Sequence, residues 1–163
     1  MIRTAKFADI PAIVALFQEG HARSKYKDKD RIDVEATKQM LVAAIQRAKV
    51  NGLGGTCLFV SETEGAVTGF IMGTLDRVYG VGTKFESIAQ YFYCSPGVDP
   101  TDPAKLFDAY IGWAEINPKV IHTQAGITDL ISDDEMRDRI EILYRRKGLT
   151  PEGKFFGMET NHG

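Results

Sequence analysis

Apolar positions along the chain recur at two spacings, and the switches between them mark the elements. Ile10, Ile13, Val14 and Phe17 fall at helical intervals. They predict a helix from a cap at Asp9 to about residue 19, with Pro11 tolerated in its first turn. Val34, Thr37, Leu41, Ala44, Ile45 and Ala48 predict a second helix over 33–50. The glycine-rich stretch Asn51-Gly52-Leu53-Gly54-Gly55 stops it, and the charged segment 24–30 before it reads as a loop. Leu106, Phe107, Tyr110, Trp113 and Ala114 form a third stripe. Asp102 is its expected N-cap, Pro103 its first helical residue and Asn117-Pro118 its end. Ser132-Asp133-Asp134-Glu135 is a capping-box sequence. It opens a fourth helix with Met136, Ile140, Leu143 and Tyr144 on one face and Gly148 as its stop.

Between these stripes the pattern alternates or turns wholly apolar, which predicts strands over 2–6, 57–62, 66–75, 86–94, 120–131 and 154–160. In the strand 86–94, Ile88, Gln90, Phe92 and Cys94 are expected on one face and Ser87, Ala89, Tyr91 and Tyr93 on the other. Both faces are largely apolar, as in a strand with neighbours on both sides. Gly69 and Gly73 in the strand 66–75 predict a bulge or the close approach of another group. The order is strand, two helices, three strands, helix, strand, helix, strand.

Composition narrows the function classes. The 163 residues, 44% hydrophobic and 26% charged, suit one domain with a core that needs no disulfide. A formal net charge of −2 provides no field to attract nucleic acid or an anionic membrane. The first residues, Met1 to Lys6, lack the apolar core of a signal peptide. No run approaches the roughly 20 apolar residues of a membrane span. The expectation is a cytoplasmic protein without membrane partners. Cys57 and Cys94 fall in predicted strands and read as buried thiols, unless those strands are neighbours and allow a disulfide. His21, His122 and His162 are far apart, and no Cys/His cluster has metal-ligand spacing, so no metal is expected. The basic run Arg145-Arg146-Lys147 falls in the last turn of the fourth helix, where the helix dipole favours positive charge. Gly80-Val81-Gly82-Thr83-Lys84 reads as a solvated turn.

Several local sequences resemble those of the GNAT superfamily of N-acetyltransferases. Ile2-Arg3-Thr4-Ala5 followed by Asp9-Ile10-Pro11-Ala12-Ile13 is similar to the usual family opening. The segment from Leu143-Tyr144 through Gly148-Leu149 to Glu152-Gly153 resembles the closing L-Y-x-x-x-G-F-x-x-E-G motif, with Leu149 in place of Phe. Phe155-Phe156-Gly157-Met158-Glu159 resembles the last strand, and the helix ending in Trp113-Ala114 resembles the one after the cofactor loop. The resemblance implies a mixed α/β (α+β) fold, with a mostly antiparallel central sheet flanked by about four helices.

It also implies acetyl-CoA as cofactor and an amine, on a small molecule or peptide, as acceptor. The implied acid is Tyr144, at the tyrosine of the closing motif, and the implied base is Glu86. The oxyanion donor is a backbone N–H at a bulge near Phe92 to Cys94. Cofactor contacts fall to Phe92, Tyr93, Cys94, Val98, Asp99, Thr101 and Lys105, and substrate contacts to His21 and Tyr91. His122, in the fifth expected strand, reads as hydrogen-bonded structure. A homodimer is common in the family.

The resemblance breaks at the diphosphate loop. The family's R/Q-x-x-G-x-G/A is replaced here by Val98-Asp99-Pro100-Thr101-Asp102-Pro103. Pro100 and Pro103 each remove an N–H, Asp99 and Asp102 bring negative charge, and Asp102 as N-cap takes the donors a phosphate needs. Two function classes follow: a CoA-dependent N-acetyltransferase with a divergent loop, or a catalytically silent GNAT-like protein of binding or assembly.

Overall fold

The computed structural model describes residues 1–48, 54–127 and 134–160. In chain order its elements are β1 (Ile2–Thr4), α1 (Ile10–Ala22), α2 (Val34–Arg47), β2 (Thr56–Thr63), β3 (Ala66–Arg77), β4 (Phe85–Cys94), α3 (Asp102–Ile116), β5 (Val120–Ala125) and α4 (Asp134–Arg146). The strands form one sheet in the order β1-β2-β3-β4-β5. All neighbours are antiparallel except β4 and β5, which run parallel. A parallel pair needs a crossover, and α3 supplies it. No described helix is long and apolar enough to cross a membrane.

Period-two alternation sends side chains to opposite faces of the sheet, and helices cover both. On one face Leu58, Val60, Phe70 and Met72 pack with Ile13, Val14 and Leu16 of α1 and Leu41 and Ala44 of α2. On the other, Cys57 and Ile71 pack with Leu106, Phe107, Tyr110 and Trp113 of α3 and Tyr144 of α4. Arg3 ties β1 to the start of α1 through a forked pair with Asp9 (2.7 and 2.8 Å) and to β2 through Glu62 (2.7 Å). Asp9 holds the N-cap position of α1, but its carboxylate serves Arg3 and the Lys6 N–H rather than the helix.

The expected order holds through α4, and the final strand does not form. Residues 154–160 carry a strand-like pattern but are exposed and join no strand among the described residues, since alternation alone gives a strand no edge to join. The strand expected over 120–131 ends at Ala125, and the helix expected over 33–50 ends at Arg47. Residues 49–53, which include the Asn51-Gly52 stop, lie outside the described residues. So do 128–131 of the fifth expected strand, Ser132 and Asp133 of the capping box, and His162.

Both strand glycines meet close neighbours. A Cβ on Gly69 would stand 2.7 Å from Cys94 Sγ, and one on Gly73 would stand 2.7 Å from the Tyr110 ring. Beside Gly69 the β2–β3 register slips, leaving Thr68 as an extra residue. Cys57 and Cys94 are free thiols on β2 and β4, with β3 between them.

Candidate active site

The parting of β4 from β5 marks the candidate site. The two strands pair from Phe85 opposite Val120 to Ala89 opposite Ala125, while β4 continues to Cys94 against β3 alone. Beyond Ala89, one edge of β4 therefore offers backbone N–H and C=O groups without a strand partner among the described residues. At the fork the β3–β4 register slips: Gly73 faces Ala89 and Met72 faces Tyr91, leaving Gln90 as the extra residue. The bulge expected near Phe92 to Cys94 is not found there, since pairing is regular from Tyr91 to Cys94, and the irregularity of β4 falls earlier, at Gln90.

The slip also corrects the expected alternation of β4, because an extra residue turns the following side chains over. Ser87, Ala89, Phe92 and Cys94 share the α3 face, while Tyr91 and Tyr93 lie towards α1.

Tyr110 of α3 pins the fork. Its buried hydroxyl shares a hydrogen between the Gln124 carbonyl of β5 (3.0 Å) and Ser87 Oγ of β4 (3.2 Å). Ser87 Oγ donates in turn to Thr123 Oγ1 (3.0 Å). Burial pushes the Tyr110 phenol well above its ordinary range. Tyr144 packs in the same cluster, its ring 4.8 Å from that of Phe107. Burial, and behind it the neighbouring Tyr110, likewise raise the Tyr144 phenol.

The start of α3 differs from the sequence expectation. Thr101 holds the N-cap position, with Asp102 following as the first helical residue. Asp102 does not cap. Its carboxylate is buried, and Oδ2 has no hydrogen-bond partner among the described residues. Asp99 organises the turn instead, its Oδ1 accepting from the Thr101 N–H (2.8 Å) and Thr101 Oγ1 (2.6 Å), and its carbonyl from the Asp102 N–H (2.9 Å). Pro103 has no N–H, and the Lys105 N–H already bonds Thr101 O. Lys105 Nζ stands 3.8 Å from both the Asp99 and the Asp102 carboxylate. Of the donors that elsewhere receive an anion at a helix start, those of Thr101, Asp102 and Lys105 are therefore occupied and that of Pro103 is missing, and the local charge is negative.

No family model matches the chain, and no curated protein does. Solved structures do. AAC(6')-Iy, in complex with the bisubstrate analog CoA-S-monomethyl-acetylneamine, is 12% identical, with 99% of this chain and 97% of that one covered and a TM-score of 0.69. A predicted acetyltransferase of Clostridium acetobutylicum with acetyl-CoA is 11% identical over 98% and 95%, with a TM-score of 0.70. The ribosomal-protein-alanine N-acetyltransferase of Brucella melitensis biovar Abortus is 11% identical over 98% and 99%, with a TM-score of 0.64. The chain has the GNAT fold.

On this GNAT fold the remaining predicted residues divide between the two ends of β4. At its far end, Tyr93 Oη donates to Glu19 Oε1 (3.0 Å) and Ser95 Oγ to Glu19 Oε2 (2.8 Å). Burial, and then the Glu19 carboxylate, raise the Tyr93 phenol against an opposing Arg23. Tyr91 is partly exposed, its ring edge-on to Phe17 at 5.0 Å. His21 lies near the end of α1, with its Nε2 buried and without a hydrogen-bond partner among the described residues. Cys94 is pushed up to about 12 by burial and by the Asp102 charge.

At the near end stands Glu86, four residues before the bulge, or roughly 13 Å along a strand. It faces His122, whose Nδ1 is 3.9 Å from Glu86 Oε2 and whose Nε2 is 2.7 Å from Glu152 Oε2. Arg145 pairs with Glu141 (2.7 Å) and Lys147 with Asp108 of α3 (2.5 Å), so these two members of the basic run are bound to structure.

Three features escaped the sequence. Gln90 carried no signal of its own, although Gly73, opposite the neighbouring Ala89, did. Glu19 read as the last residue of a helix, and only folding brings it beside Tyr93. Asp102 looked like a cap because Asp-Pro commonly opens helices.

Proposed function

We propose that this GNAT-fold chain is an N-acetyltransferase that moves an acetyl group from acetyl-CoA directly to an amine within a ternary complex. The observation that carries this reading is the free edge of β4 beyond Ala89. An extended ligand rich in amides can add to such an edge as a strand would, and the pantetheine arm of coenzyme A carries two amides. When bound, the cofactor supplies an acetyl thioester already activated for attack. Phe92, Tyr93 and Cys94 line that edge, and the N–H of Gln90, the extra residue of the slip, is the candidate oxyanion donor. Tyr144 stays protonated through neutral pH, the state from which a hydroxyl can pass its proton to a thiolate. Glu86 can take the acceptor's proton only across a distance that water must bridge, while His21 and Tyr91 lie on the acceptor side with α1. The full-length likeness to acetyltransferase structures, two of them holding CoA ligands, supports the same reading.

The residues at the start of α3 do not fit a diphosphate, so affinity must rest on the arm. That observation favours a second reading, a catalytically silent GNAT-fold protein of binding or assembly. Thermal unfolding with acetyl-CoA separates the two. At a hundredfold excess over its dissociation constant, a ligand of the native state adds about 2.7 kcal/mol, or about 5–10 °C for a chain of this size. No shift at roughly millimolar acetyl-CoA overturns the enzyme reading and leaves the second.

A further inference from the structure

The free edge of β4 ends at Cys94, within reach of the Asp102 charge at the start of α3, and the two elements favour different ligands. Along the edge beyond Ala89, backbone N–H and C=O groups stand without a strand partner among the described residues. An extended chain of amides can pair with them. The start of α3 offers acceptors in place of donors. The Thr101 N–H and hydroxyl are taken by Asp99 Oδ1, the Asp102 N–H by the Asp99 carbonyl and the Lys105 N–H by the Thr101 carbonyl, and Pro103 has none. Asp99 keeps a half-exposed carboxylate. The Asp102 side chain is 3% exposed, and its Oδ2 has no hydrogen-bond partner among the described residues. Lys105 is shared between these two carboxylates, 3.8 Å from each, and Lys147 is held by Asp108 further along α3.

A diphosphate is an anion made only of acceptors. At this helix start it meets like charge and filled donors. A pantetheine that ends in its own hydroxyl is uncharged, and that hydroxyl is a donor for which a carboxylate is a fitting acceptor. We infer that the acyl donor of this chain is a free pantetheine thioester ending in that hydroxyl, without the diphosphate and nucleotide of coenzyme A. The inference rests on the acyl-transfer reading of the β4 edge and changes only the donor. The edge takes the arm of either thioester, so acetyl-CoA still binds, but less tightly. The transfer is the same for both. A bond forms between the amine nitrogen and the acetyl carbon as the carbon–sulfur bond breaks. The amine gives up a proton, and the leaving thiolate takes one.

Calorimetric titration of the full chain with acetyl-pantetheine, acetyl-phosphopantetheine and acetyl-CoA tests this, beside acetyl transfer from each to a panel of primary amines. Acetyl-pantetheine should bind about tenfold more tightly than acetyl-CoA, with the phosphorylated arm between them. It should also be the better donor at equal concentration. Adenosine diphosphate at about 10 mM should displace none of the three. If acetyl-CoA binds as tightly as acetyl-pantetheine or more so, or adenosine diphosphate displaces it, the inference falls and acetyl-CoA stands as the donor. If acetyl-phosphopantetheine matches or exceeds the hydroxyl form, the inference falls and the arm is taken with its phosphate. If no thioester binds at about 10 mM, the acyl-transfer reading falls with it.

Discussion

The ring of Tyr110 occupies the space that a side chain at Gly73 would need. A Cβ there would stand 2.7 Å from Cε2 and 2.8 Å from Cδ2 of the ring, and 3.0 Å from Cys57 Sγ. Gly73 lies opposite Ala89, where the register slips, and the Tyr110 hydroxyl holds β4 to β5 just before they part. The bare α-carbon of one residue thus lets the other reach the fork. Gly73→Ala must push the ring or the strand aside. Overpacking of this kind costs about 1–3 kcal/mol, which lowers the melting temperature by about 3–10 °C. A thermal melt followed by circular dichroism reads this directly, and an unshifted midpoint would show that the contact is loose.

Arg3 and Asp9 fasten the first strand to the first helix, with Glu62 as the guanidinium's second partner. The Arg3 hydrogen bond is the main reason the Asp9 carboxyl titrates below its ordinary 3.8, with the Lys6 N–H adding to it against partial burial. A carboxylate whose folded value is depressed contributes stability that is present above the unfolded value and lost as pH falls through the folded one. The parent should therefore lose stability between about pH 5 and pH 2 more steeply than Asp9→Asn, which starts weaker at neutral pH. Urea midpoints across that range measure the difference, and parallel curves would mean that Asp9 titrates alike folded and unfolded.

Much of this architecture is legible in the chain because helices announce their own periods and stops. The stripe Leu106, Phe107, Tyr110 and Trp113 needs no knowledge of what it packs against. The β4 site was less legible because a bulge is a relation between two strands. Ser87 to Cys94 alternates smoothly as text, yet the slip at Gln90 turns the residues after it to the opposite faces. The tail at Phe155 and Phe156 failed for a related reason, since strand character is local and a strand's partner is not. Asp102 shows the third limit. Its place before Pro103 fits a cap, but the fold buries it one residue into the helix and gives the turn to Asp99 and Thr101.

That turn makes the second reading of function testable by gain rather than loss. Asp99 occupies the Thr101 N–H and hydroxyl and adds an exposed carboxylate. The hydrogen bonds from Thr101 hold its carboxyl below the ordinary range, so it is charged at neutral pH. Asp99→Gly frees a donor and removes a charge at the helix start. If a CoA diphosphate approaches α3, the variant should bind acetyl-CoA several-fold more tightly in calorimetric titration. Equal affinity in the two proteins would place the diphosphate elsewhere.

Tyr144 is the candidate acid, and its setting fixes the form of the test. Phe107 supports its ring, so Tyr144→Phe keeps the packing and removes only the hydroxyl. General acids contribute about 10²–10⁴ in rate. The variant should lose kcat on that scale against a panel of primary amines while its acetyl-CoA dissociation constant stays within about twofold. Because burial holds the phenol well above its ordinary value, the parent's rate should show no basic limb from this group below about pH 10. Unchanged turnover in Tyr144→Phe would assign it to packing.

The two cysteines give the last test, independent of function. Cys57 lies opposite Gly73 and Cys94 opposite Gly69, so the thiols flank β3 from either side. Strands two apart are separated by about 9–10 Å, beyond the roughly 7 Å over which two Cα atoms can be bridged. Oxidants should therefore form no internal disulfide in the folded chain. Burial raises each thiol to about 12, with the Asp102 charge adding to the effect at Cys94. At pH 8 that leaves about one thiolate in ten thousand, so a disulfide reagent should react roughly a thousandfold more slowly with the native chain than with the urea-unfolded one. A fast phase of one equivalent on the native protein would mean that one thiol is open to solvent, with Cys94, at the free end of β4, the first to examine by Cys94→Ser.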